Sequence, residues 1–154
     1  MFYGGDQERG ARSSTENVHS ILGMDKALTI AMSNLESDTK YIENLKQYFV
    51  TELQSISADI QFNGLSSDFK KSSCTILSVR FPVNNDMLLF SLDMAGIAVS
   101  GGSACQSGSN KGSHVLAEIL KDQEADKTSV RFSFSKFTTK EEIDTTIIKL
   151  KELL

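Results

Sequence analysis

Residues 128–135 read Thr-Ser-Val-Arg-Phe-Ser-Phe-Ser, and their strict alternation predicts a β-strand. Val130, Phe132 and Phe134 form one apolar face, whereas Arg131 stands on the other face among small serines. Residues 74–81, Cys-Thr-Ile-Leu-Ser-Val-Arg-Phe, alternate in the same way before Pro82 ends the run. The two segments therefore predict strands of a small sheet that has an apolar and a polar face.

Helical spacing is found around these strands. Apolar residues recur in steps of three and four over residues 18–32 and 42–56, which predicts either one bent helix or two helices. Lys46 is interpreted as one of the polar residues between the apolar positions of the second stretch. Two shorter strands are predicted at residues 59–62 and 97–99. A short helix that Gly96 closes is predicted between them, with an apolar face made of Met87, Leu88, Phe90 and Leu92.

Two capping boxes mark further helix starts. They are formed by Ser13 with Glu16 and by Thr139 with Glu142. The helix after Thr139 is expected to bury Ile143, Ile147, Leu150 and Leu154. The whole pattern predicts the α+β fold class, with a small, largely antiparallel sheet and flanking helices over one face.

Composition excludes several classes of protein. The 154 residues contain no repeat, so we expect one compact domain, or two at most. Sixteen Lys and Arg against twenty Asp and Glu give a net charge of −4, which argues against nucleic acid and against a polybasic membrane anchor. No apolar run approaches the roughly 18 residues of a membrane span, and no signal peptide is evident. We expect a cytoplasmic protein without nucleic-acid or membrane partners. Cys74 and Cys105 are too few for a disulfide scaffold or a four-ligand zinc site, so no metal site is predicted.

Residues 100–114 carry the strongest sign of chemistry. They read Ser-Gly-Gly-Ser-Ala-Cys-Gln-Ser-Gly-Ser-Asn-Lys-Gly-Ser-His, a composition that predicts a mobile surface loop because it cannot build a core. Cys105 lies in its middle, where a thiolate would have the access that a nucleophile needs. An exposed thiol without a function is the alternative. A glycine-rich phosphate cradle is a weaker one, because the stretch lacks the ending of a P-loop.

Arg131 is the second candidate. A guanidinium between small residues can hold a carboxylate in a bidentate clamp, and an ordinary structural ion pair is the alternative. His114 is expected to open a helix, Cys74 to be a small sheet or core residue, and His19 to have no role.

Three stretches resemble the cysteine desulfurases. Residues 3–12, Tyr-Gly-Gly-Asp-Gln-Glu-Arg-Gly-Ala-Arg, followed by Thr15-Glu16-Asn17-Val18, resemble the segment that leaves the large domain of these enzymes. Residues 95–105, Ala-Gly-Ile-Ala-Val-Ser-Gly-Gly-Ser-Ala-Cys, with Ser-His-Val-Leu at 113–116, are similar to their active-cysteine loop. Residues 129–133, 137–139 and 142–144 resemble their C-terminal strand and helix. The resemblance covers essentially the whole chain in order.

The resemblance implies an enzyme of the class-V aminotransferase type that depends on pyridoxal 5′-phosphate and converts L-cysteine to L-alanine. Cys105 would be the catalytic cysteine that becomes a persulfide, and Arg131 would bind the substrate carboxylate. Thr15 would contact the cofactor phosphate of the other subunit in a homodimer. A sulfur-acceptor protein, such as an iron–sulfur scaffold, would be the partner.

The resemblance also implies an incomplete enzyme. Residues 1–17 would be the segment through which the chain exits a large cofactor-binding domain that is missing here. Residues 18–154 would be the C-terminal small domain of a fold-type I transferase. The Schiff-base lysine, which stands in a Ser-x-His-Lys motif in the family, has no equivalent in this sequence, so the chain alone is expected to be inactive. The family usually has glycine at the position of Ser14 and serine at that of Gly101. A selenocysteine lyase, a sulfinate desulfinase and a stand-alone persulfide carrier are the alternatives.

Overall fold

The computed structural model describes residues 3–101 and 113–154, except for the side chains of Asp122 and Gln123. Its elements are a short 3₁₀ turn and, in chain order, helices and strands with these bounds: 3₁₀ Glu8–Gly10, α1 Val18–Ile56, β1 Gln61–Phe62, β2 Ile76–Arg80, α2 Leu88–Met94, β3 Ser100–Gly101, α3 His114–Ile119, α4 Asp122–Ala125, β4 Ser129–Ser133 and α5 Lys140–Leu153. The chain divides into two compact units, Met1–Ser37 and Asp38–Leu154.

Helix α1 is one continuous helix, which answers the question that the sequence left open. It begins after Asn17, whose Oδ1 accepts a hydrogen bond from the Ser20 amide at 3.2 Å. The capping box predicted at Ser13 and Glu16 is therefore wrong. Its physical reason is the backbone of Ser14, whose φ of +86° lies in the left-handed region and is incompatible with a helix start there.

Unit 1, residues 3–37 of the described chain, has almost no core. Its large apolar side chains on α1 are exposed: Val18, Ile21, Leu22, Met24, Leu28, Ile30, Met32 and Leu35.

Unit 2 is built on a four-stranded antiparallel sheet with the strand order β1-β2-β4-β3. The two alternating segments that opened the sequence analysis form its central pair, with Leu77 opposite Phe132 and Val79 opposite Val130. The predicted strand at 97–99 is wrong, since the strand lies at Ser100–Gly101. The Ile97 amide is taken by the Leu92 carbonyl at 2.9 Å, which closes α2 around Gly96 and keeps residue 97 out of the sheet.

One hydrophobic core lies between the apolar face of this sheet and the helices of unit 2. It contains Ile42, Leu45, Phe49, Val50, Leu53, Ile60, Leu77, Val79, Phe81, Leu88, Leu92, Val130, Phe132, Phe134, Ile143, Ile147 and Leu150. The Phe49 ring meets the rings of Phe132 and Phe134 edge-on, with centroid distances of 4.9 and 5.8 Å. The capping box of Thr139 and Glu142 is confirmed at the start of α5.

Several burial predictions are corrected. Leu154 is 39% exposed because it lies beyond the end of α5, and Met87 and Phe90 face solvent around the short helix α2.

Lys46 is fully buried instead of exposed, because it lies four residues after Ile42 and three before Phe49, on the buried stripe of α1. Its ammonium donates to the Ser73 carbonyl at 2.8 Å and to Ser72 Oγ at 3.0 Å. Burial lowers the pKa of Lys46.

None of the helices described in the structure combines the length and the apolar composition that crossing a membrane requires.

Candidate functional site

The polar face of the sheet carries a row of four side chains, one of which is Arg131. Arg131, in the middle of β4, is opposite Ser78 of β2 and Ser100 of β3. Asn63 follows β1 and is in register with Ser78, whose carbonyl accepts its amide at 2.9 Å. Directly opposite residues of antiparallel strands share a face, so these four residues form what we call the polar row: Asn63, Ser78, Arg131 and Ser100.

The hydrogen-bond pattern brings Ser78 close to Arg131. The amides of Phe81 and Phe134 donate to carbonyls of the neighbouring strand segment at 2.9 and 2.8 Å, which marks these positions as hydrogen-bonded pairs. Pairs alternate along an antiparallel ladder, so Ser78 and Arg131, three positions from each, are a non-hydrogen-bonded pair. Such pairs have Cα atoms only about 4.5 Å apart, with their side chains in close approach.

Arg131 has no internal partner in the described parts of the chain. Its Nε is buried and makes no hydrogen bond, and none of the ion pairs between described residues includes it. A guanidinium offers five N–H donors and no acceptor. A buried donor without a partner costs about 1–3 kcal/mol, so this position favours an external acceptor, above all a carboxylate that can take two of the donors.

Arg80 is on the same polar face and provides a direct contrast. Ser-Val-Arg-Phe occurs twice, at residues 78–81 and 129–132, and the register places Arg80 opposite Ser129 just as it places Arg131 opposite Ser78. Arg80, however, has two partners. Its Nη1 donates to Asn63 Oδ1 at 2.8 Å, and its Nη2 lies 3.0 Å from a Glu124 carboxylate oxygen.

Glu124 is held as a carboxylate by two cations. The hydrogen bond from Lys127, at 2.7 Å, and the charge of Arg80 lower the pKa of Glu124. The negative charge on this part of the polar face is therefore compensated locally, and it is not paired with Arg131.

Thr15 lies in unit 1, on the loop before α1. It is exposed, and its hydroxyl makes no hydrogen bond to another described residue. The neighbouring Ser14 adopts a left-handed conformation that glycine tolerates better. Its amide donates to Gln7 Oε1 at 3.1 Å, and its carbonyl accepts from Arg12 at 2.9 Å. These two side chains fix the backbone of the residue before Thr15.

Cys105 lies outside the described residues, as do all residues from 102 to 112 of the predicted mobile loop. The loop was predicted too long, because Ser100 and Gly101 form β3 and His114 belongs to α3. Helix α3 begins at His114, as predicted, and Ser113 Oγ caps it by accepting the Leu116 amide. Cys74 is half-buried and packs against the core, which fits its structural interpretation. His19 is exposed on α1. A Cβ at Gly101 would meet the Leu89 side chain at an ordinary 3.4 Å, so the serine usual in the family would fit there.

A cavity of about 500 Å³ also lies in unit 2, between β4, residues 95–99 and the first turns of α5. Phe49, Phe132 and Phe134 line it, which places it on the apolar side of the sheet, and Arg131 does not. Across residues 3–101 and 113–154, no three His, Cys, Asp or Glu side chains are grouped so that they could hold a metal ion.

The sequence singled out Arg131 as a candidate but not Asn63. Asn63 is only 5% exposed. Its position directly after the strand predicted at residues 59–62 was the only sign in the sequence. That position does not show which side chains Asn63 contacts, because the register between strands decides this.

Comparison with known proteins gives a consistent result. Residues 4–146 match the family model described as aminotransferase class-V. The chain is 34% identical over 154 residues to a cysteine desulfurase IscS of Dictyoglomus turgidum, covering all of this chain and 39% of that protein. It is 42% identical over 149 residues to a cysteine desulfurase IscS of Buchnera aphidicola, covering 96% of this chain and 35% of that protein.

Solved structures agree with these relatives. A NifS-like protein superposes with a TM-score of 0.76 at 30% identity, covering 99% of this chain and 38% of the other. A NifS-like protein from Rickettsia africae gives a TM-score of 0.73 at 26% identity, with 99% and 39% covered. The chain thus spans somewhat more than a third of the length of the relatives that it matches.

Proposed function

The chain belongs to the class-V aminotransferase family, and from this premise we propose that it supplies the sulfur-accepting cysteine and the carboxylate anchor of a cysteine desulfurase. The observation that carries the proposal is Arg131, at the centre of the sheet. Its buried Nε makes no hydrogen bond, and its guanidinium, unlike that of Arg80, enters no ion pair between described residues. A chain related to cysteine desulfurases needs such a group for the carboxylate of an amino-acid substrate.

In the proposed reaction, the Cys105 thiolate attacks the sulfur of L-cysteine. The new S–S bond forms as the C–S bond of the substrate breaks, and the electron pair of that bond remains with the substrate carbon, which then takes up a proton. L-Cysteine and the Cys105 thiol thereby become L-alanine and a Cys105 persulfide, with no external oxidant or reductant. The persulfide sulfur then passes to an acceptor, which we propose to be an iron–sulfur scaffold protein.

Arg131 binds the substrate carboxylate throughout this reaction. The fork of its guanidinium fixes the orientation of the amino acid, which sets the distance between the substrate sulfur and its attacker. Ser78 and Ser100 leave room for a ligand on both sides of Arg131, because serine is the only side chain opposite it on either neighbouring strand.

Pyridoxal phosphate, when bound, supplies the electron sink for breaking the C–S bond. The residues of this chain fit a supporting contact to that cofactor. Thr15 is exposed with an uncommitted hydroxyl, next to a backbone that Gln7 and Arg12 fix, which suits a phosphate oxygen from the other subunit of a homodimer. No lysine of the sequence stands in the family's anchoring motif. We therefore propose that this chain alone does not turn over L-cysteine.

The test compares the chain alone with a fusion that places the cofactor-binding part of a full-length cysteine desulfurase before it, each supplied with pyridoxal phosphate and L-cysteine. We expect L-alanine only from the latter, together with a mass gain of one sulfur atom on Cys105. Cys105→Ser should abolish the gain, whereas Cys74→Ser, at the other cysteine, should not. L-Alanine from the chain alone, or a persulfide that survives Cys105→Ser, would contradict the proposal.

Substrate binding by Arg131 has its own measurement. Arg131→Met removes one or two charge-assisted hydrogen bonds to the substrate, at about 1.5–3 kcal/mol each. In the form of the protein that turns over L-cysteine, it should therefore raise KM for L-cysteine by roughly tenfold or more. An unchanged KM would remove Arg131 from the site. Faster turnover of selenocysteine or cysteine sulfinate by the same preparation would favour those activities instead.

A further inference from the structure

Asn63 uses its whole side-chain amide within the polar face. Its Oδ1 accepts from Arg80 Nη1 at 2.8 Å, and its Nδ2 donates to Ser78 Oγ at 3.0 Å and to Ser129 Oγ at 3.1 Å. The residue is 5% exposed, so water has little access to compete for these bonds.

Arg80 fixes which way this amide points. A guanidinium has only donors, so the group that faces it must be the amide oxygen. The two N–H bonds of Asn63 are then directed at the serines, and neither can turn away without leaving a buried polar group unpaired. Arg80 is itself held by Glu124, at 3.0 Å.

This orientation decides what the serine hydroxyls can do. Each accepts an N–H from Asn63 and keeps its own proton to donate elsewhere. Ser78 stands between Asn63 and Arg131 in the polar row, so its proton, which Asn63 does not use, is available to a group bound beside Arg131. Ser129 is on the same face of β4, two residues before Arg131. Both hydroxyls can therefore donate to an acceptor that the Arg131 guanidinium holds.

We propose that Asn63, held by Arg80, is a positioning residue that presents the hydroxyl protons of Ser78 and Ser129 to the carboxylate bound by Arg131. The inference rests on the proposed function, because it takes Arg131 as the carboxylate anchor. Ser78, Ser129 and Arg131 then form an anion site whose hydrogen-bond donors are in place before the ligand binds.

The test follows the Nε–Hε NMR signal of Arg131 in the full 154-residue chain, while sodium acetate replaces sodium chloride at constant ionic strength. Ser78→Ala and Ser129→Ala should each weaken acetate binding about threefold to tenfold, the usual range for one lost hydrogen bond. Ser133→Ala is the matched control. Ser133 lies two residues after Arg131 on the same face of β4, but Asn63 does not bond to it. Its loss should leave acetate binding unchanged.

A thermodynamic cycle separates positioning from general stability. Asn63→Ala should weaken acetate binding in the wild-type chain, but should add little once both serines are alanine, because its effect passes through their hydroxyls. Equal losses in both backgrounds would overturn the inference. So would equal binding by Ser78→Ala and Ser133→Ala, which can be compared even if Asn63→Ala does not fold.

The same experiment distinguishes the two levels of the argument. If acetate does not shift the Arg131 signal of the wild-type chain, the carboxylate anchor fails, and the positioning role fails with it. If acetate shifts the signal but the serine variants bind as the control does, only the positioning role fails.

Discussion

Two substitutions on one face of the sheet should change stability in opposite directions. Arg131 and Arg80 occupy equivalent positions in two copies of Ser-Val-Arg-Phe, but only Arg80 has partners. Arg131→Met removes a buried Nε that lacks a hydrogen bond, whose cost is about 1–3 kcal/mol, and the methionine retains most of the apolar stem. We expect the free energy of unfolding to rise by about 1 kcal/mol, after the incomplete burial of Arg131 is allowed for.

Arg80→Met should have the reverse effect. It removes the hydrogen bond to Asn63 and the ion pair with Glu124, and it leaves Asn63 Oδ1 buried without a donor. That penalty, about 1–3 kcal/mol, and the lost charge-assisted bond exceed the relief from removing the buried Nε of Arg80, so we expect a loss of about 2 kcal/mol.

The assay is urea unfolding of the chain, followed by far-ultraviolet circular dichroism, with equal slopes in the variants. The two variants should differ by about 3 kcal/mol in the free energy of unfolding. If Arg131→Met destabilises the chain as much as Arg80→Met, Arg131 has a partner within the chain, and the argument for an external carboxylate is refuted.

Three further predictions concern the scaffold around the site. Burial lowers the pKa of Lys46. The free energy of unfolding should therefore rise as pH increases from that lowered value towards the ordinary lysine value. Urea titrations of Lys46→Met should not show this rise. The hydrogen bond to Asp144 raises the pKa of Tyr48, so its contribution is present below the ordinary tyrosine value and is lost as pH rises through the raised one; Tyr48→Phe should flatten that alkaline loss. Thr139→Ala should cost about 1 kcal/mol by removing the cap of α5, and an unchanged urea midpoint would contradict this.

The sequence identified the main elements of unit 2 because their patterns are strong. The alternation at residues 76–80 and 129–133 placed Leu77, Val79, Val130 and Phe132 on the buried face, where the structure has them. The capping box at Thr139 and the closing Gly96 marked two helix boundaries correctly. These features depend on neighbouring residues along the chain, so they are visible without the fold.

Two errors came from judging residues by their type alone. Lys46 was interpreted as exposed because lysine usually is, although its spacing from Ile42 and Phe49 places it on the buried stripe. Residues 97–99 have strand composition, but the end of α2 uses the Ile97 amide. In both cases the position of the residue relative to a helix outweighs the preference of its residue type.

The amino-acid order alone established the strands, the polar side on which both arginines stand, and the likeness to cysteine desulfurases on which the interest in Cys105 rests. It could not distinguish Arg80 from Arg131, because both occur in the same four-residue motif. Only the folded chain makes them different. Strand register and the path of the intervening segments bring Asn63 and Glu124 to the Nη atoms of Arg80, whereas Arg131 enters no ion pair between described residues. The Nε atoms of both arginines are buried and unpaired, so the Nη partners alone distinguish them. Hydrogen bonds and ion pairs between side chains depend on their distance in the folded chain, and a four-residue motif does not determine that distance.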